Sequence, residues 1–236
     1  MILIPVAALA ILTACGGGEN QRVEKNAKVL TKEEQARLTP AGVIEILKKG
    51  NQEFENNRLT VRNSTELVRD AAKGQYPMAV ILSCLDSRVP VEDVFHCAIG
   101  DIFVARVAGN IVNVDILGSM EFACAASGAR LVMVLGHGSC GAVKSAIDDV
   151  QLGNITEMLS KIQPAVSESK VNFEGETTAA NSKFVETVGH ANVALAVAEI
   201  RSKSQILKEM EDKGQIKIIG GYYDLYTGKV DFFEDM

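Results

Sequence analysis

Two continuous apolar segments constrain the fold of this chain more than any other feature. The first, Met-Ala-Val-Ile-Leu-Ser, begins at Met78, and the second, Leu-Val-Met-Val-Leu, begins at Leu131. Neither alternates with polar residues, which is typical of strands buried on both faces of a parallel sheet. Helical patterns alternate with these and later strand segments. We therefore predict a single α/β domain with a central, mostly parallel β-sheet flanked by helices.

Polar side chains follow both segments at the same end. Cys84, Asp86 and Arg88 come directly after the first, and His137 and Cys140 come after the second. Sites in α/β sheets form at the carboxyl ends of the strands, so we expect these five residues to converge. A single cysteine or histidine is more often a structural core residue. Two thiolates with one imidazole, however, are typical of a catalytic zinc site that keeps one position open.

These motifs resemble those of the β-class carbonic anhydrases. The resemblance rests on Cys-x-Asp-x-Arg at 84–88 and His-x-x-Cys-Gly at 137–141, and it runs from about Thr39 to the C-terminus. Further matching segments are Arg-Val-Pro at 88–90, Gly-Asp-Ile-Phe-Val at 100–104, Arg106 and Ala-Gly-Asn at 108–110. The resemblance implies reversible hydration of carbon dioxide to bicarbonate and a proton, with one Zn²⁺ per subunit.

The resemblance also implies roles for the five clustered residues. Cys84, His137 and Cys140 would be the zinc ligands. Asp86 would accept a hydrogen bond from the zinc-bound water, and Arg88 would orient Asp86 through a bidentate pair. The alternative is that Asp86 and Arg88 form a salt bridge that only stabilises the loop.

The substrate pocket implied by the resemblance contains Gln75, Phe103, Phe122 and Gly141. Core packing would explain either phenylalanine equally well. In the family, part of the pocket wall comes from the neighbouring subunit, which implies a homodimer or a tetramer built from dimers. Ile81 stands where members with an inhibitory bicarbonate site carry tryptophan, so we do not expect that site here.

The N-terminal segment resembles a bacterial lipoprotein signal. Residues 1–15 form an apolar stretch suited to a signal-peptide core, and Leu-Thr-Ala-Cys at its end resembles a lipobox with Cys15 as the lipidation site. Residues 16–38 would be a tether and the start of a helical arm, and 39–236 the enzyme domain. No basic residue precedes the apolar stretch, which leaves a buried helix as the alternative. The expected location is the periplasm, anchored only through lipid, or the cytoplasm if the segment is not a signal.

Capping patterns predict an N-terminal helical arm. Thr31–Glu34 fits a capping box, and Thr39-Pro40 fits an N-cap followed by proline at the first helical position. The first long helix is predicted from Pro40 to about Asn57, and a second covers roughly 64–73. In the resembled family, helices of this kind pack on the partner subunit.

The C-terminal half is predicted in less detail. A crossover helix is expected at 116–127, surface helix and loop at the irregular, polar residues 153–185, and one long helix at 185–210. A strand at 215–220 and a turn at 227–228 predict an antiparallel edge strand at the C-terminus.

The remaining histidines and cysteines are predicted to be structural. His96 is expected to be half-buried and His190 to lie near the start of a helix, and neither is assigned to the metal. Cys97 and Cys124 lie in apolar helical contexts, which favours buried free thiols over a disulfide.

Composition and motif content leave three functions open. The formal net charge of −6, without a basic cluster, disfavours nucleic-acid binding. The leading function is the zinc-dependent hydratase. The second is a hydrolase of carbonyl sulfide or carbon disulfide on the same scaffold. The third is a non-catalytic zinc-binding lipoprotein, which would be expected to lack Asp86 or Arg88. A cysteine nucleophile using Cys84 and His137 would leave Cys140 without a role.

Overall fold

The computed structural model describes residues 28–58 and 64–236. The predicted signal segment, its candidate lipidation site Cys15 and residues 16–27 of the predicted tether lie outside the described residues. Within the described ranges, no helix combines the length and apolar character needed to cross a bilayer.

Five strands of the described chain form one sheet in the order β2-β1-β3-β4-β5. The first four strands run parallel and β5 pairs antiparallel with β4. The predicted α/β domain, its parallel sheet and its antiparallel C-terminal edge are therefore confirmed. The strands are β1 (Ala79–Ser83), β2 (Ile102–Arg106), β3 (Leu131–His137), β4 (Lys217–Tyr223) and β5 (Val230–Phe233).

Helices cover both faces of this sheet. The connections between parallel strands contain helices, as parallel pairing requires. The helices are α1 (Lys32–Ala36), α2 (Pro40–Glu55), α3 (Ser64–Ala71), α4 (Val91–Val94), α5 (Val114–Glu121), α6 (Gly141–Ile147), α7 (Gly153–Ser160), α8 (Gln163–Val171), α9 (Ser182–Lys203) and α10 (Gln205–Asp212).

The two-residue period of β1 divides its side chains between two cores. Ala79 and Ile81 pack in the core that contains α2 and α4, whereas Val80 and Leu82 pack in the core that contains α5, α9 and α10. All four side chains are at most 2% exposed. The unbroken apolar sequence of β1 is thus explained by helices on both faces of the sheet.

The helical arm docks on the same chain. Thr31 and Glu34 form the predicted capping box at the start of α1. Gln35 is buried, and its Nε2 donates to the carbonyl oxygens of Pro77 at 2.7 Å and Ser127 at 2.8 Å. Helix α2 buries its own apolar face against the sheet of the same chain.

The segment predicted as surface helix and loop at 153–185 is helical, but the expectation that it lies on the surface was wrong for several of its side chains. This segment contains α7, α8 and the start of α9, and it buries Leu159, Ile162 and Val166 in a third core. These three apolar residues follow a helical i, i+3, i+7 spacing that the polar residues between them obscured. The third core also contains Cys84 and Cys140, so this segment packs beneath the predicted metal ligands.

Two helix predictions also need correction. The single helix predicted at 185–210 is two helices, because Ser204 is extended between α9 and α10 and its hydroxyl accepts from the backbone N of Leu207. His190 consequently lies in the middle of α9, not near its start. The crossover helix begins at Val114 and ends in a π-helical turn at Phe122–Ala126.

Candidate metal centre

The register of β1 and β3 brings the predicted ligands together. Ser83 pairs with Leu135, so β1 and β3 end almost level. Cys84 and His137 therefore lie at the same edge of the sheet. Cys140 follows at the N-cap of α6. The ligand atoms of Cys84, His137 and Cys140 all lie within 4.8 Å of one another, and all three residues are buried.

The geometry of these donors fits a zinc ion. The two sulfur atoms are 3.9 Å apart, close to the ~3.8 Å expected when two thiolates bind one tetrahedral zinc at about 2.3 Å. His137 Nδ1 lies 2.9 Å from the carbonyl oxygen of Gly138, an arrangement that places the proton on Nδ1. His137 Nε2 is buried without a hydrogen-bond partner. A bare, buried imidazole nitrogen next to two thiols is the donor set that zinc prefers.

The hydrogen bond between the two cysteines shifts their pKa values in opposite directions. The pKa of Cys84 is lowered, because Cys140 donates a hydrogen bond to it and the backbone N–H of Gly109 adds to that effect against burial. The same hydrogen bond, together with burial, raises the pKa of Cys140. The pocket therefore already favours one thiolate before any metal binds, which lowers the cost of deprotonating the ligands.

Asp86 and Arg88 form the bidentate pair that their spacing permits. Arg88 Nη2 donates to Asp86 Oδ2 at 2.7 Å, Arg88 Nε donates to Oδ1 at 2.9 Å, and the Arg88 backbone N–H donates to Oδ1 at 2.9 Å. The guanidinium hydrogen bonds hold the pKa of Asp86 well below its usual range. Asp86 Oδ2 lies 3.8 Å from His137 Nε2, so an ionised carboxylate faces the ligand group.

A second arginine holds the loop that carries Cys84 and Asp86. Arg106 ends the edge strand β2 and donates from Nε to the carbonyl oxygen of Cys84 at 3.0 Å and from Nη2 to that of Asp86 at 2.5 Å. Arg106 matched the family pattern, but its contact with the loop that carries Cys84 and Asp86 depends on the pairing of β2 with β1. Sequence spacing carries no signal for such a contact.

Three of the four predicted pocket residues, Gln75, Phe103 and Phe122, lie apart from the ligands within one chain. Phe103 and Phe122 line a groove of about 600 Å³ beside β2, to which none of the three ligands contributes. Gln75 is exposed before the start of β1, whereas Cys84 follows its end. A five-residue strand is ~17 Å long, so the two are well separated. Gly141, the first residue of α6, directly follows Cys140.

Comparison with known proteins identifies the family. A family model described as carbonic anhydrase matches residues 79–230. Carbonic anhydrase 2 of Mycobacterium tuberculosis is 33% identical over 196 residues, covering 80% of this chain and 91% of the relative.

Two solved structures share the fold. A Coccomyxa β-carbonic anhydrase in complex with acetazolamide aligns with a TM-score of 0.64 at 24% identity, covering 80% of this chain and 84% of that one. A β-carbonic anhydrase described as tetrameric, from Sordaria macrospora, aligns with a TM-score of 0.63 at 20% identity, covering 81% and 94%. With the family model and the mycobacterial relative, this likeness shows that the chain belongs to the β-class carbonic anhydrase family.

Proposed function

We propose that this protein is a zinc-dependent carbonic anhydrase that catalyses the reversible hydration of carbon dioxide to bicarbonate and a proton. One observation carries the proposal: three buried zinc-type donors lie next to a carboxylate that a bidentate guanidinium holds in place. The mycobacterial relative, which is named a carbonic anhydrase, supports the same conclusion.

Cys84, His137 and Cys140 would hold the zinc. When bound, the ion would act as a Lewis acid and make hydroxide available near neutral pH. Two thiolates and a neutral imidazole balance its charge, so the buried site carries no net charge. The imidazole keeps its proton on Nδ1 through the Gly138 carbonyl, which leaves Nε2 for the metal.

Asp86 would orient the attacking water. Its carboxylate faces the ligand group, and Arg88 occupies both oxygen atoms, which restricts its rotation. Its low pKa makes it a poor proton acceptor at neutral pH. Asp86 therefore serves as a hydrogen-bond acceptor that aligns the nucleophile, and the proton leaves to solvent or buffer.

Stopped-flow hydration of carbon dioxide tests the proposal. We expect fast hydration by the zinc-loaded protein, loss of that activity after chelation, and a large loss in Asp86→Ala with zinc content unchanged. Asp70→Ala is the matched control, because Asp70 pairs with Lys73 on the surface. Stoichiometric zinc with hydration at the uncatalysed rate from pH 7 to 9 would overturn the proposal. Assays with carbonyl sulfide and carbon disulfide would then separate a related hydrolase from a non-catalytic zinc protein.

We also propose that the enzyme works as a homodimer, alone or within a tetramer. Within the described chain, β2 pairs with β1 on one side only. The groove between β2 and α5 is lined by Val114 and Phe122, which are 79% and 57% exposed. A second copy seated there would cover this apolar surface and could bring Phe103, Phe122 and Gln75 toward a metal group. The tetrameric Sordaria macrospora relative supports self-association.

Light scattering coupled to size exclusion tests the assembly. Phe122→Glu should shift the protein toward monomer and reduce hydration. Val171→Glu changes a residue that is 77% exposed on α8 and should have no effect on either. A wild-type monomer with full activity would contradict the dimer.

We further propose that Cys15 is lipidated and anchors the enzyme in the periplasm. The support is the apolar segment that ends in Leu-Thr-Ala-Cys. Metabolic labelling with a radioactive fatty acid should label the wild type and not Cys15→Ser. An unlabelled wild-type protein in the cytoplasmic fraction would contradict the anchor and leave the hydratase proposal standing.

A further inference from the structure

A buried chain of hydrogen bonds connects α9 to the Cys84 ligand. Asn192 Nδ2 donates to the carbonyl oxygen of Gly109 at 2.8 Å, and the backbone N–H of Gly109 donates to Cys84 Sγ with an N···S distance of 3.3 Å. Asn192 is 3% exposed, on the buried face of α9. A single residue, Gly109, therefore receives a hydrogen bond from the core and donates one to the sulfur.

The backbone of this residue is in an unusual conformation. Gly109 has φ 70° and ψ 20°, and the next residue, Asn110, also has a positive φ of 42°. Two consecutive left-handed residues are unfavourable for a free chain. Side chains enclose the turn as well, since a Cβ on Gly109 would approach Ile162 Cδ1 to 2.6 Å and Ala142 Cβ to 3.1 Å. The Gly109 N–H is thus aimed at Cys84 by contacts from outside its own loop.

We propose that Asn192 is a positioning residue for the metal centre, which acts by holding Gly109 so that its N–H donates to the Cys84 sulfur. An N–H···S hydrogen bond draws charge away from a thiolate and fixes the direction of its lone pairs. Outer hydrogen bonds of this kind tune both affinity and reactivity of a bound metal. The inference rests on the part of the proposed function that makes Cys84 a zinc ligand, and it does not depend on hydration.

Cadmium-substituted protein tests the first contact without any mutation. In an N–H···S–Cd arrangement, the amide proton of Gly109 shows a scalar coupling to ¹¹³Cd through the hydrogen bond. We expect that coupling in the wild type. Its absence in a protein that binds cadmium stoichiometrically would overturn the proposal.

Asn192→Ala tests the second contact. We expect the Gly109–cadmium coupling to be lost, zinc affinity to fall about 10-fold in chelator competition, and the sulfur-to-cobalt charge-transfer band of the cobalt protein to move to longer wavelength. Asn192→Ser keeps a hydrogen-bond donor. In each of these measurements it should give a value between those of the wild type and Asn192→Ala. It also covers the case in which the alanine variant does not fold.

Asn51→Ala is the matched control. Asn51 is also 3% exposed, and its Nδ2 donates to the carbonyl oxygens of Val94 and Gly228, away from the metal group. A merely structural role for Asn192 would give both variants the same loss of stability with unchanged cobalt spectra, and that result would overturn the proposal. None of these measurements uses hydration, so an inactive zinc protein would refute the proposed function and leave this inference standing.

Discussion

Arg106→Ala should weaken the metal centre although Arg106 is not a ligand. Its guanidinium supports the loop between Cys84 and Asp86 through two backbone carbonyls. Water can replace the exposed hydrogen bond to Asp86. The loss in free energy of unfolding should therefore come mainly from the partly buried hydrogen bond to Cys84. A hydrogen bond from a charged group contributes about 1.5–3 kcal/mol. In a domain of this size, a loss of that order lowers Tm by roughly 3–12 °C.

The loss should also reach the metal, because the Cys84 carbonyl and its sulfur belong to one residue. We expect zinc affinity to fall about 10- to 100-fold in chelator competition. Arg106→Lys should recover only part of the loss, since an ammonium lacks the planar fork that reaches both carbonyls. Arg37→Ala removes an exposed arginine that donates to the carbonyl oxygen of Glu33, and it should change the free energy of unfolding by less than about 0.5 kcal/mol.

Two results would refute this reasoning. The first is an Arg106→Ala protein with the Tm and zinc affinity of the wild type. The second is an equal loss of zinc affinity in Arg37→Ala, which would mean that the effect is general and does not pass through the metal loop.

Three further predictions follow from the charges at the site. Hydration should increase above neutral pH, because two thiolates weaken the Lewis acidity of zinc relative to imidazoles, and a flat profile between about pH 6 and 9 would contradict this. Because the folded-state pKa of Asp86 is depressed, its contribution to stability is present above about pH 4 and is lost as the pH falls below that value. Asp86→Asn should therefore flatten the dependence of the metal-free urea midpoint on pH between about 2 and 4, and an unchanged acid slope would argue against it. In a Cys15→Ser background after chelation, a thiol reagent at pH 7 should modify Cys84 first. Cys124, whose pKa burial raises to about 12, should react only on unfolding, and peptide mapping that shows the reverse order would be inconsistent with these pKa shifts.

Elements with strong local signals were predictable from the sequence. The strands β1 and β3 could be predicted, because a strand covered by helices on both faces requires an unbroken apolar segment. The capping box of α1 was also confirmed, since it depends only on Thr31 and Glu34. Helix was expected within 153–185, but the burial of α7 and α8 was missed because their apolar residues are separated by polar ones. The break at Ser204 was missed because nothing in a helical pattern requires it.

The sequence by itself determined which donors are available: Cys84, His137 and Cys140, with Asp86 and Arg88 in the same motif. These residues follow strand ends, and short motifs record their chemistry directly. Tertiary structure alone decided that the two sulfur atoms lie 3.9 Å apart, because that distance depends on the register between β1 and β3. It also decided that Asn192 reaches Gly109, 83 positions away. Contacts over such separations depend on how α9 packs against the sheet, and no local pattern encodes that packing.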